Sequence, residues 1–171
     1  MNVIDEPEDD LMKILPSKCF PSCEFSQDSD AGFYDIIPQG YEHVVSLYLG
    51  KETVKNDDAI ENAGDFFDKV YEWDVFCRNA FISAEKDSED AEMIAEYFSF
   101  YKDEVPEVFD SSDVSVLTLS DMVNCLKLSH MGTHGSGKDQ QFNVDFTLGY
   151  DQLLCVYFDS NSEFDHIAWE S

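Results

Sequence analysis

The spacing of hydrophobic residues predicts strands in two parts of the chain. Residues 43–49 alternate hydrophobic and polar side chains, as a strand with one buried face does. Residues 142–148 alternate more regularly, with Asn143 and Asp145 on the polar side. Leu126, Leu128 and His130 predict another strand, along which they share one side. These segments indicate a sheet with one buried face.

Two further strands are predicted near the end of the sequence. Residues 152–159 contain the run LLCVYF, which is apolar on both sides and therefore typical of a central strand. Residues 163–169 alternate again. The connections at 149–151 and 160–162 have the length of hairpin turns, so the pattern predicts an antiparallel meander.

A period of three to four residues replaces the alternation in the middle of the chain and predicts helices. The first begins at a cap on Asn56 or Asp57 and extends to about residue 71. Within it, Gly64 costs roughly 1 kcal/mol relative to alanine. A second helix is expected over residues 74–85, with Phe76 available to the core.

A third helix is predicted from a cap at Ser88 to Pro106, which ends or kinks it. Its apolar stripe faces the core. A short fourth helix follows Thr118 or Ser120 and runs through Val123. The polar face of the third helix carries one row of carboxylates at helical spacing: Glu89, Glu92, Glu96 and Asp103.

These elements predict an α+β fold, a two-layer sandwich in which helices pack on one face of an antiparallel β-meander. The 171 residues suit a single domain, which we place at residues 33–171. Residues 1–32 contain Pro7, Pro16 and Pro21 among many acids and show no sustained period. We expect them to form an acidic, loosely ordered N-terminal arm.

Charge is the strongest signal in the composition. The chain has 37 Asp and Glu against 10 Lys and Arg, a net charge of −27. Such a surface disfavours nucleic acid and anionic membranes as partners and favours basic proteins. The alternative explanation for the acidity is that it serves solubility or adapts the protein to a high-salt cytoplasm.

The sequence predicts a cytoplasmic protein. Its longest apolar runs are far shorter than the roughly 20 residues of a membrane-spanning helix. The first residues, MNVIDEPEDD, carry acids where a signal peptide has Lys or Arg. The five cysteines are an odd number and do not resemble a disulfide framework.

Two segments match part of a ligand-binding motif and depart from it at a required position. Residues 132–138 have the spacing of a P-loop, but Asp139 stands where a hydroxyl coordinates Mg²⁺, and a strand follows. Residues 159–170 resemble a calcium loop, but Phe164 stands where the sharp turn requires glycine. A glycine-rich connection and a hairpin explain both segments.

Four residues have side chains suited to zinc: Cys19, Cys23, His130 and His134. The cysteine spacing is loose, however, and the two histidines straddle a strand end and a loop. Two free thiols and two ordinary histidines are the simpler interpretation.

No motif for nucleophilic catalysis stands out. Such catalysis needs Ser or Cys beside a histidine that a carboxylate orients. Cys77, Cys125 and Cys155 all lie in apolar contexts typical of small core residues. His43 and His166 are interpreted as core histidines with satisfied hydrogen bonds. We therefore predict no catalytic residue, cofactor or metal site.

Three segments carry a resemblance to a known family: HVVSLYL at 43–49, AEMIAEYFSFYKDEVPEVF at 91–109, and the sequence from residue 144 onward. Together with the order of elements over about residues 41–171, they resemble an uncharacterised bacterial domain-of-unknown-function family with an α/β two-layer sandwich. Such families are similar to the acidic immunity proteins that bacteria encode beside toxins. The resemblance implies no site residues.

Three functions remain open. The main hypothesis is a non-enzymatic binding protein of the immunity or inhibitor type that neutralises a basic partner, for example a toxin. Its predicted partner-binding residues are Glu89, Glu92, Glu96 and Asp103. The alternatives are an inhibitor that mimics nucleic acid, with carboxylates spaced like phosphates, and a small hydrolase, with or without a metal.

Overall fold

A computed structural model describes residues 12–28 and 30–171 and shows an α+β protein. The strands are β1 (Met12–Ile14), β2 (Glu24–Ser26), β3 (Gly32–Ile36), β4 (Val45–Leu49), β5 (Lys127–His134), β6 (Gln141–Thr147), β7 (Leu153–Phe158) and β8 (Phe164–Glu170). The helices are α1 (Lys51–Val54), α2 (Asp57–Phe67), α3 (Val70–Ile82), α4 (Glu89–Glu104) and α5 (Leu119–Cys125). In the part of the chain so described, no helix is both long and apolar enough to cross a membrane.

The main sheet has six strands in the order β3-β4-β5-β6-β7-β8, and β1 and β2 pair separately. Strands β5 to β8 are antiparallel neighbours in sequence order, as in a meander. The prediction of a purely antiparallel sheet is wrong at one pair, because β4 and β5 run parallel. The chain between them passes through all five helices and provides the long crossover that parallel strands require.

Local capping signals position three of the helices. The Asn56 side chain accepts a hydrogen bond from the Ala59 amide and starts α2, and Ser88 caps α4 in the same way. Thr118 and Asp121 exchange hydrogen bonds in a capping box at the start of α5. The predicted caps at Asn56, Ser88 and Thr118 are therefore confirmed.

The boundary between the first two predicted helices is wrong. Helix α2 ends at Phe67 and α3 begins at Val70, so the helical period restarts between them. As a result Tyr71 points to solvent with 72% of its surface exposed, and Phe76 is 41% exposed instead of lying in the core. The short helix α1 lies before α2, in a segment for which no helix was predicted.

Residues 12–28 pack against the helices. Four of their side chains are buried in the main core: Leu15, Phe20, Cys23 and Phe25. The Asp68 carboxylate at the end of α2 accepts hydrogen bonds from the Ser17 hydroxyl and from two backbone amides beside it. Residues 1–11 lie outside the described residues, and the proposed domain boundary near residue 32 stays a prediction.

The helices contact one side of the main sheet through aromatic pairs. Phe66 of α2 stacks on Phe142 at 4.4 Å between ring centroids, and Phe81 of α3 meets Phe146 edge-on. Because successive strand residues point to opposite sides, Asn143 and Asp145 project from the other side. We call this other side the open face of the sheet, since a cleft there opens to solvent.

Gly64 provides a test of the contact between residues 12–28 and α2. Its helix position alone predicts that Gly64→Ala stabilises the protein by roughly 1 kcal/mol. A Cβ atom at this position, however, would lie 2.3 Å from the Pro16 carbonyl oxygen. We therefore expect the substitution to lower the free energy of unfolding by about 1–3 kcal/mol, measured by urea denaturation. A stabilised variant would show that this contact is absent in solution.

Candidate functional site: a cleft on the open face of the sheet

Strand register forms the cleft. Tyr48, Gly132, Asn143 and Tyr157 are successive cross-strand partners on β4, β5, β6 and β7. Gly132 contributes no side chain, and the Asn143 amide oxygen lies over it. Tyr48, Asn143 and Tyr157 line a cleft of about 360 Å³, in the usual size range of ligand sites. Its other polar and aromatic lining residues are Phe33, His130, His134, Asp145 and Glu170.

The floor of the cleft holds two buried polar side chains. Asn143 and Asp145 are only 9% and 8% exposed. The Nδ2 atom of Asn143 donates to both carboxylate oxygens of Asp145, each at 2.9 Å. The Oδ1 atom of Asn143 is buried and has no hydrogen-bond partner among the described residues. Such an unsatisfied buried acceptor costs about 1–3 kcal/mol.

Asp145 is a buried carboxyl group with a raised pKa. Burial raises its pKa from 3.8 to about 6, Glu170 adds to this effect, and hydrogen bonds from Asn143 and Cys155 oppose it. Across residues 12–28 and 30–171, no Lys or Arg forms an ion pair with it. At neutral pH the group is therefore mostly ionised and uncompensated, which is unfavourable inside a protein.

The Asn143 amide cannot satisfy the whole cleft floor in either of its two orientations. In the observed orientation, Nδ2 donates to Asp145 and Oδ1 lies over Gly132. A Cβ atom on residue 132 would be only 2.5 Å from Oδ1. Turning the amide over would place Oδ1 against the carboxylate, so two acceptors would face each other. Either a proton on Asp145 or a cationic donor between the two oxygens resolves this conflict.

Aromatic rings form the walls of the cleft. On one side Phe33, Tyr48 and His134 make consecutive ring contacts, with centroids 4.9 Å and then 4.8 Å apart. On the other side Tyr157 stacks on His166 at 4.5 Å, and its hydroxyl donates to Glu170. Flat aromatic faces next to carboxylates are suited to cations.

A β-bulge at Ser129 directs His130 to the cleft. Leu128 pairs with Phe146 and His130 with Asp145, so Ser129 is the extra residue between them. Leu128 faces the helices and His130 the open face, which corrects the prediction that the two share one side. Burial lowers the pKa of His130, although Asp35 opposes this effect. Burial likewise lowers the pKa of His134.

The cleft suits binding better than nucleophilic attack. Burial raises the pKa of the Cys155 thiol, which is 1% exposed, so the thiolate that attack requires is disfavoured. Burial and the hydrogen bond to Glu170 also raise the pKa of Tyr157. Asp145 exchanges its proton near pH 6 and at neutral pH presents a carboxylate. The floor therefore offers hydrogen-bond acceptors.

No family model, curated protein or solved structure matches this chain.

The structure also places the residues that the sequence suggested as zinc ligands. His130 and His134 line the cleft, whereas Cys23 is buried in the main core with the N-terminal residues. Within the described ranges, no group of three or more His, Cys, Asp or Glu side chains has an arrangement that could hold a metal ion.

The two motif-like segments adopt ordinary connections. Residues 132–138 run from β5 into a short 3₁₀ turn at Gly137–Asp139 and then into β6, so the helix that a P-loop requires does not follow. In the hairpin between β7 and β8, the Asp159 carboxylate accepts hydrogen bonds from the amides of Asn161 and Glu163.

The predicted partner-binding residues lie elsewhere. Glu89, Glu92, Glu96 and Asp103 are all exposed on α4. Helical geometry puts them within roughly 60° of one another, on the side opposite the buried stripe of this helix. That stripe packs on the helix-facing side of the sheet, where Tyr97 meets Trp169. The carboxylate row therefore points away from the cleft.

Sequence reasoning missed the two floor residues and misplaced one histidine. Asn143 and Asp145 alternate with apolar neighbours and were expected to face solvent. The sequence did contain a signal for their burial. The neighbouring strand β7 has the sequence LLCVYF, which is apolar on both sides, and this implies that both sides of β6 are covered as well. His166 is exposed and bonds to Asp165, so its interpretation as a core histidine is wrong. His43 bonds to the Leu128 carbonyl oxygen.

Proposed function

We propose that this protein is a non-enzymatic binding protein that recognises a basic partner protein through the open face of its sheet. The observation that carries the proposal is the cleft floor, where the buried Asp145 carboxylate has no cationic partner and the Asn143 amide oxygen has no donor among the described residues. A basic surface supplies donors with positive charge. The net charge of −27 would steer such a partner and raise its association rate.

The expected two-layer sandwich agrees with this proposal. In that arrangement the helices cover one side of the sheet and leave the other to a partner, as the aromatic contacts of α2, α3 and α4 favour. The resemblance to acidic immunity proteins makes a basic toxin in the cytoplasm the first kind of partner to test. The carboxylate row on α4 then attracts the basic partner at long range. The competing proposal is a nucleic-acid mimic that binds its target through this row.

The proposal predicts how binding of a basic peptide responds to salt and to substitution. The probe is a short peptide of alternating arginine and glycine, compared with its citrulline analogue by surface plasmon resonance. We expect its association rate to fall about tenfold or more between low salt and about 0.5 M. Tyr48→Ala removes a cleft wall and should weaken binding about tenfold, mainly by faster dissociation.

Two variants serve as controls. Tyr71→Ala removes an aromatic side chain that is exposed on α3, and it should leave the affinity unchanged. Neutralising the α4 row to Gln and Asn should slow association but change the dissociation rate less than threefold. Loss of binding in the α4 variant, with full binding in Tyr48→Ala, would overturn the open face as the docking surface and favour the nucleic-acid mimic.

A further inference from the structure

We propose that the cleft is a site for one guanidinium group, the end of an arginine side chain that inserts between Tyr48 and Tyr157 and donates to Asp145 and Asn143. This inference rests on the proposed function and names the group recognised at that surface.

The cleft floor is built for a donor that carries positive charge. Asp145 is more than nine-tenths buried and has no cationic partner among the described residues. Asn143 is equally buried and has an acceptor oxygen without a donor. A guanidinium carries five N–H donors, so it can donate to the carboxylate and to Oδ1 at the same time. Both acceptors are then satisfied by one group.

The walls favour guanidinium over ammonium. Guanidinium is planar, weakly hydrated, and stacks on aromatic faces while its N–H groups donate in the ring plane. Tyr48 is the cross-strand partner of Gly132 and Tyr157 that of Asn143, and both tyrosines line the cleft. An ammonium is a compact, strongly hydrated charge and gains less from these walls.

A proton and the guanidinium compete for the same floor. Protonation removes the charge from Asp145, so a guanidinium would then meet only a neutral carboxyl group. The other groups that act on this carboxyl are Glu170 and the Cys155 thiol, while His130 is its cross-strand partner and Asp35 acts on His130. None of these supplies a fixed positive charge, so the ligand must.

The test uses the full chain and N-acetyl-arginine amide as probe, with binding followed by NMR shifts of the Asn143 side-chain amide. We expect saturable binding at pH 7.5 and at least tenfold weaker binding of N-acetyl-lysine amide. The citrulline analogue has the same shape without the charge and should not bind. Affinity should fall as the pH drops through about 6, because the proton then occupies Asp145.

Substitutions distinguish binding in the cleft from attraction to the net negative charge of the protein. Asp145→Asn should weaken binding at least tenfold, whereas Glu163→Gln, which removes one exposed carboxylate from the β7–β8 hairpin, should change it less than twofold. Gly132→Ala places a methyl group against Asn143 Oδ1 and should also weaken binding. Equal losses in Asp145→Asn and Glu163→Gln would overturn the inference, as would citrulline binding as tight as arginine.

The result also separates this inference from the proposed function. If the arginine amide does not bind but Tyr48→Ala still weakens the basic peptide, the guanidinium site is wrong and the docking surface stands. If the amide binds in the cleft but the basic peptide and its citrulline analogue bind alike, the site is a small-cation site and the basic-protein proposal is wrong.

Discussion

Asp145→Asn is expected to make the protein more stable at neutral pH by about 2–3 kcal/mol. The folded chain holds the pKa of Asp145 at about 6, above the value of 3.8 expected when unfolded. Below the lower value both states are protonated and the group has no effect. Between the two values the folded state binds more protons, so stability falls as the pH rises. Above pH 6 the full cost remains, because two pKa units correspond to about 3 kcal/mol.

Urea denaturation of both proteins at two pH values measures this effect. The advantage of Asp145→Asn should be about 3 kcal/mol at pH 7.5 and about half of that at pH 5. Glu163→Gln removes the same formal charge from an exposed position and should change stability by less than about 0.5 kcal/mol at both. A less stable Asp145→Asn variant would mean that the carboxylate is already compensated. A stabilised variant that no longer binds arginine would mean that the carboxylate is retained for binding at a cost in stability.

Phe66→Ala is expected to lower the free energy of unfolding by about 3–5 kcal/mol. Phe66 is 2% exposed and joins α2 to both its neighbouring helix and the sheet. Its ring stacks on Phe142 at 4.4 Å and on Trp73 at 4.8 Å, and it meets Phe158 edge-on. Truncation leaves a cavity among three aromatic rings that the surrounding backbone cannot close fully.

Phe76→Ala is the matched control for this substitution. Phe76 also contacts Trp73 and Phe158, but 41% of it is exposed. Its loss should cost about 1 kcal/mol or less, because water already reaches the side chain. Both values come from urea denaturation followed by circular dichroism. Similar losses for Phe66→Ala and Phe76→Ala would contradict the packing described for α2 on the sheet.

Local signals allowed most of the elements to be predicted. The caps at Asn56, Ser88 and Thr118 depend on the side chain and on the amide three positions later, so the sequence contains all the necessary information. The strands near the C-terminus follow each other through short turns, which left antiparallel pairing as the simplest arrangement. The parallel pair β4–β5 joins segments that are distant in sequence, and alternation alone carries no information about it.

The cleft was harder to predict than the fold, because it depends on register. Tyr48, Gly132, Asn143 and Tyr157 become neighbours only when four strands align at particular positions. The bulge at Ser129 adds to the difficulty, since residues before and after it follow alternations of opposite phase. The exposed carboxylates of α4 were easier to recognise, because helical spacing within one segment sufficed.

The opposite placement of the α4 carboxylates and the cleft affects the solubility of any complex that forms. Proteins of opposite charge often precipitate together when their charges cancel, because nothing then keeps the neutral particles apart. A partner bound to the open face leaves the α4 carboxylates exposed on the opposite side: Glu89, Glu92, Glu96 and Asp103. The complex therefore keeps an anionic surface on that side, and two complexes repel each other through it.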